Sequence, residues 1–221
     1  MKKVNLLLKS RKELLMKIIE SSFEILLAQI NYGRIIIENE IDLQLHFSYL
    51  LKDMGELHQF SLEDVFTIRL EVPFSSKVPL IKSNSERAKI DIMLSLTDRT
   101  GLNNPVKCAI ELKYFKAANH REPNNRYDAF ADMKNLETYV EEGIVDFGVF
   151  LLGTDHEHYV NRPRYSINTA DFDMRDGSSY KAKKVLVYNT EKPYGNNIEL
   201  KNDYDFEWTE IDEKWFLMVE I

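Results

Sequence analysis

Apolar positions recur along this chain at two spacings. From residue 10 to 54 they follow the turn of a helix. Ser10-Arg11-Lys12-Glu13 has the form of a capping box. Behind it Leu14, Leu15, Ile18, Ile19, Phe23, Ile25, Leu26 and Ile30 make one broad stripe, with Gly33 as a stop signal. This predicts a packing helix. A second is expected over residues 39–54, with Ile41, Leu45, Phe47, Leu50, Leu51 and Met54 as its apolar positions and Gly55 as its end. A third is expected over 127–142, with Phe130, Met133, Leu136, Tyr139 and Val140 turned inward and Gly143 closing it.

Elsewhere the period is two. Phe66, Ile68, Leu70 and Val72 alternate with Thr67, Arg69 and Glu71 up to Pro73, where the strand is expected to end. Ile90, Ile92, Leu94 and Leu96 share one face of a second strand; Cys108, Ile110, Leu112 and Tyr114 share one face of a third. Val145, Phe147, Val149 and Leu151 make a fourth, and strand–helix–strand in that order implies a crossover. Residues 156–221 read as a β-rich C-terminal extension, with strands over 181–190, 198–202 and 215–221 and with Trp208, Trp215 and Phe216 in a core. The pattern predicts an α/β fold with a central mixed sheet flanked by helices.

Composition sets the frame. At 221 residues with 44% hydrophobic and 11% aromatic content, the chain is read as one globular domain. No apolar run approaches the ~20 residues of a membrane span, so no membrane partner is expected. The basic N-terminus lacks a secretory cleavage pattern, and the single cysteine, Cys108, sits on an apolar strand face. A cytoplasmic location is expected.

The chemistry lies in the hairpin between residues 89 and 116. Its loop holds Gly101, Asn103, Asn104 and Pro105. Symmetry about Gly101 sets Asp91 opposite Glu111, and directly opposed side chains have Cβ atoms ~5 Å apart. Like charges at that distance call for a cation. Lys113 points to the same face as Glu111. An Asp, a Glu and a Lys converging on two strands make a candidate divalent-metal site with a cationic group beside it. Upstream, Glu40 and Gln44 lie one helical turn apart on a common face. His156 and His158 in Thr154-Asp155-His156-Glu157-His158 lack the HExxH spacing and are read as a polar loop.

Asp91, nineteen residues and then Glu111-Leu112-Lys113 resembles the PD-(D/E)XK nuclease superfamily, the restriction-endonuclease-like fold, although Ile90 rather than Pro precedes Asp91. The resemblance covers about residues 35–155. It implies a core of one helix, three antiparallel strands, a helix and a further strand, and metal-dependent hydrolysis of phosphodiester bonds, DNA first. It further implies that Asp91 and Glu111 hold one or two Mg²⁺ (or Mn²⁺) ions with the Leu112 carbonyl, and that Lys113 orients the attacking water. Glu40, with Gln44 beside it and Glu38 as the fallback, steadies the metal's water shell.

Charge bears on the partner. A net charge of −7 does not favour nucleic acid. Local basic clusters do: Lys2, Lys3, Lys9, Arg11, Lys12 and Lys17 at the N-terminus, and Lys107, Lys113, Lys116, Arg121, Arg126 and Lys134 further on. Arg87, Lys116, Arg121 and Arg126 are the candidate phosphate contacts; the alternative for Arg126 is a surface ion pair, and Lys77, Lys82 and Arg87 read equally as a solvated basic loop. A homodimer is a further possible arrangement. Two other classes stay open: a nuclease-like module that binds without cutting, and a structural salt-bridge triad of Asp91, Glu111 and Lys113.

Overall fold

The first helix, α1 (Arg11–Asn31), starts at the expected box: Ser10 Oγ accepts from the Glu13 N–H at 3.2 Å, and Glu13 Oε2 accepts from the Ser10 N–H at 2.8 Å. The structure is a computed structural model that describes residues 10–59, 62–74, 80, 88–98 and 104–221. The next helix, α2 (Glu40–Leu57), is capped by Asn39, whose Oδ1 accepts from the Asp42 N–H at 2.9 Å. It runs on past Gly55, the expected stop. A Cβ at Gly55 would stand 2.2 Å from the Phe66 ring, so this glycine lets a strand approach the helix closely and does not end it.

Three strands follow, β1 (Asp64–Phe74), β2 (Ala88–Asp98) and β3 (Val106–Phe115), then α3 (Glu122–Glu141) and β4 (Phe147–Thr154). Short strands β5 (Ser179–Tyr180), β6 (Val185–Leu186), β7 (Ile198–Glu199) and β8 (Tyr204–Asp205) lead to β9 (Trp208–Ile211) and β10 (Lys214–Glu220). Six of them form one mixed sheet in the order β1-β2-β3-β4-β10-β9. Only β3 and β4 are parallel within it, joined by the α3 crossover. Among the described residues there are three α-helices, and none is long and apolar enough to cross a membrane.

Two expectations need correcting. Strand β1 continues through Pro73, which pairs with Lys89, because β1 is an edge strand and its outer side demands no N–H from proline. Residues 156–221 are also more than an extension. Their last two strands complete the central sheet, with β10 running antiparallel to β4 from Trp215 opposite Thr154 to Glu220 opposite Val149. All eight residues of β4 are buried, so this strand needs a partner on each side. The β9–β10 turn is made by Asp212 and Glu213, both with positive φ (50° and 58°), in place of the Asn-Gly pair that would have announced it.

The sheet separates two cores. One lies under α1 and α2 and contains Ile18, Leu43, Phe47, Ile92, Ile110 and Leu112. The other lies under α3 and the C-terminal segment and contains Ala109, Phe130, Phe150, Phe172 and Phe206. The β1–β2 hairpin crosses from one to the other. Phe66, Ile68, Ile92 and Leu94 pack in the first core, but Val72 and Ile90 pack in the second. Between them stand Glu71, with φ of 51°, and Asp91. A left-handed residue in mid-strand re-aims the side chains that follow it. The expected single face from Ile90 to Leu96 is therefore broken at the position that carries the chemistry.

Candidate active site

The β2–β3 ladder has the register expected from symmetry about Gly101, running from Ile92 opposite Ile110 to Leu96 opposite Val106. It stops at Ile92. One step on, Asp91 Oδ2 accepts from the Leu112 N–H at 2.7 Å, so a side chain takes the place of a strand carbonyl. The two strands part there, and the gap holds the polar groups.

Glu111 is 6% exposed and its carboxyl lies against that of Asp91. The Tyr139 hydroxyl, from α3, donates to Glu111 Oε1 at 3.2 Å. Lys113 Nζ donates to the Leu112 carbonyl at 2.6 Å and to Glu40 Oε1 at 3.4 Å, and lies 3.6 Å from Asp132 Oδ2. Gln44 Nε2 donates to the Asp91 carbonyl at 3.1 Å and to Glu71 Oε1 at 3.2 Å. A cleft of about 90 Å³ opens among Glu40, Ile41, Gln44, Glu71, Asp91 and Leu112.

Electrostatics follow from this geometry. Burial pushes the Glu111 carboxyl well above the usual carboxylate range, and the adjacent Asp91 and Asp132 push it further. Asp91 is also raised, by burial first, although Lys113 and the Leu112 N–H favour its charged form. Glu40 is raised by desolvation against the pull of Lys113. Lys113 itself is held protonated: burial opposes its charge, but Asp132, Glu40, Asp91 and Glu111 together overcome that. One amine thus faces four carboxylates.

The sequence brought Asp91, Glu111, Lys113, Glu40 and Gln44 into consideration, and the structure brings all five together. Glu38 stays outside the cleft, its backbone N–H bonded to Asp42 Oδ2. Three neighbours escaped the sequence reading. Asp132 lies on the buried face of α3, amid a helix that also buries Asn125, Asn135 and Glu137. Tyr139 read as an apolar stripe position; its buried hydroxyl required a partner. Glu71 read as one polar position in an alternating strand. Only its positive φ and its place in the cleft mark it.

The residues suit a hard cation of the Mg²⁺ type. Among the described residues, no three His, Cys, Asp or Glu side chains stand close enough to cage one ion. Mg²⁺ does not ask for that, since it keeps several waters and takes one or two carboxylates. Asp91 and Glu111, adjacent and jointly over-charged when ionised, supply such a pair. The Leu112 carbonyl, the expected third oxygen, gives one lone pair to Lys113 and keeps the other.

The expected phosphate contacts fare differently. Arg126 is 2% exposed: its guanidinium donates to the Thr169 carbonyl (2.9 Å), the Phe172 carbonyl (3.0 Å) and Thr169 Oγ1 (2.9 Å), and lies 3.5 Å over the Tyr165 ring. It is neither a phosphate contact nor a surface ion pair, because every one of its neighbours is internal. Arg121 is exposed but bonded to the Tyr194 hydroxyl (3.0 Å), with Asp128 Oδ2 at 3.8 Å. Lys116 is half-buried at the end of β3. Arg87, with Lys77 and Lys82, lies outside the described residues. His156 Nε2 sits 3.1 Å from Glu122 Oε1 and His158 stacks on Tyr165, consistent with a polar loop. Cys108 is fully buried. In comparisons with protein-family models, with curated proteins and with solved structures, nothing matches this chain.

Proposed function

We propose that this chain is a metal-dependent nuclease of the PD-(D/E)XK type, acting on phosphodiester bonds, DNA first. The observation that carries the reading is the charge balance at the strand gap: the Lys113 amine is set among Asp91, Glu111, Glu40 and Asp132. Burying such an excess is costly without a further cation. The order α2, three antiparallel strands, α3 and a parallel β4 supports the same reading, being the order of that family's core.

Asp91 and Glu111 would hold the ion, with Tyr139 fixing the rotamer of Glu111 and the Leu112 N–H fixing that of Asp91. A bound divalent cation supplies charge to polarise the phosphate and acidify a coordinated water. Lys113, held protonated, donates hydrogen bonds to the attacking water or to the phosphoryl oxygen as charge builds there. Glu40 and Asp132 keep that amine aimed at the gap from opposite sides. Gln44 holds the Asp91 backbone.

The experiment is cleavage of plasmid and oligonucleotide DNA with Mg²⁺ or Mn²⁺, abolished by EDTA and by Lys113→Met. A second reading rests on the 2.6 Å tie from Lys113 to the Leu112 carbonyl together with its contacts to Glu40 and Asp132, which a closed structural network would also show. A melting temperature unmoved by millimolar Mg²⁺ and Mn²⁺, with no cleavage, would favour that network and overturn the nuclease.

A further inference from the structure

Beyond the end of β4 the chain makes a 3-10 turn, Glu157–Tyr159, and then the loop Asn161-Arg162-Pro163-Arg164-Tyr165-Ser166. Two adjoining clefts, of about 530 and 450 Å³, share Arg162 and Pro163. Both Arg162 and Arg164 are exposed, and neither side chain has a hydrogen bond or an ion pair among the described residues.

The loop beneath these side chains is pinned. Arg175 Nη1 donates to the carbonyls of Arg162 (3.2 Å) and Pro163 (3.0 Å), while its Nε and Nη2 donate to Asp173 at 2.9 and 2.6 Å. Asp173 therefore matches the charge of Arg175; Asp176 shares one cleft with Arg162, and the other cleft, where Arg164 stands, has no carboxylate in its lining. Tyr165 is buried with the Arg126 guanidinium 3.5 Å from its ring, and its hydroxyl donates to the Tyr159 carbonyl at 3.1 Å. The backbone is ordered in advance, so a ligand that meets the two arginines has little loop ordering left to oppose it.

We propose that Arg162 and Arg164 form a phosphate clamp for the backbone of the nucleic acid whose cleavage is proposed above; the identity of the ligand as DNA rests on that reading. Guanidinium forks match phosphate oxygens better than any other side chain. In a chain of net charge −7, two arginines without ion pairs among the described residues, on one pinned loop, are a local focus of positive potential. The loop also lies at the correct end of the sheet. It follows β4 just past Thr154, which pairs with Phe115, two residues beyond Lys113. Arg126, under the loop, and Asp132, beside Lys113, are both on α3 and six residues apart, ~9 Å along the helix axis.

The test measures binding, not turnover. Labelled duplex and single-stranded oligonucleotides are titrated in EDTA at several NaCl concentrations, with wild type, Arg162→Gln/Arg164→Gln and Arg162→Lys/Arg164→Lys, each checked for an unchanged melting temperature. The glutamine pair is expected to bind ~10–100-fold more weakly and to lose about 2 from the slope of log K against log salt. The lysine pair should keep the slope. Equal affinity and slope for wild type and the glutamine pair overturns the clamp, as does absence of binding by wild type, or competition by poly-glutamate as effective as by DNA. Arginine-dependent binding without Mg²⁺-dependent cleavage would keep the clamp and reject the nuclease. Cleavage with binding indifferent to both arginines would do the reverse.

Discussion

Asp91 Oδ2 accepts the Leu112 backbone N–H at 2.7 Å at the step where the β2–β3 ladder ends. That one contact opens the sheet and supplies the site with its first carboxylate. The strand carbonyl that would otherwise have met Leu112 is replaced by a group able to bind a cation with its second oxygen.

Glu111→Gln should stabilise the protein in the absence of divalent ions. The folded-state pKa of Glu111 is raised, so its neutral form is favoured by folding, and the benefit is complete below the ordinary glutamate pKa of about 4.3. As pH rises above that value the unfolded chain ionises freely while the folded one resists, and wild type loses stability relative to the variant. Urea denaturation should give equal stabilities near pH 4 and an advantage of ~1–3 kcal/mol to the glutamine near pH 7.5. Glutamine still accepts from Tyr139. A less stable variant at neutral pH would mean that Glu111 is held charged and matched.

Lys113→Met should act in the opposite direction. Removing the amine leaves Asp132, Glu40, Asp91 and Glu111 facing one another, at an expected cost of ~2–4 kcal/mol. Thermal melts with and without Mg²⁺ should show part of that loss restored by the ion. In cleavage assays turnover should fall by at least ~10²–10³-fold, with metal binding retained.

Gly55→Ala separates two physical effects of opposite sign. Helix propensity alone favours alanine by ~1 kcal/mol. The Phe66 ring, 2.2 Å from the new Cβ, has to move, and overpacking of that kind costs ~1–3 kcal/mol. Net destabilisation is expected in chemical denaturation. Gly55→Ala combined with Phe66→Leu should recover most of it.

His158 carries an acid-side prediction. Burial and then the neighbouring Arg126 push its imidazole down to about 4, and its Nε2 is buried without a partner. Above the ordinary histidine pKa of about 6.5 the ring is neutral in both states and contributes nothing. Between pH 6.5 and 4 the unfolded chain takes up a proton that the folded chain refuses, so stability falls as pH falls. His158→Phe keeps the stack on Tyr165 and should remove ~2 kcal/mol of that acid loss, read as a flatter dependence of melting temperature on pH across this window.

Much of this architecture is written locally. The capping box at Ser10, the alternation of β1 and β2 up to its break at Glu71 and Asp91, and the β2–β3 register symmetric about position 101 are legible from neighbours within a few residues. The Asp91–Glu111–Lys113 grouping followed from that register alone. Other features depend on partners distant in sequence. Gly55 ended α2 on local rules, but Phe66 gave it a different role. Arg126 looked exposed until Thr169, Phe172 and Tyr165 closed over it. Asp132 and Tyr139 reached the site only because a crossover helix lies across the strands, and β9 formed because fully buried β4 needed β10, and β10 in turn took a partner of its own. Hydrogen-bond satisfaction and burial are settled over the whole molecule. A pattern with a period of two or four residues carries no information about which distant group will meet them.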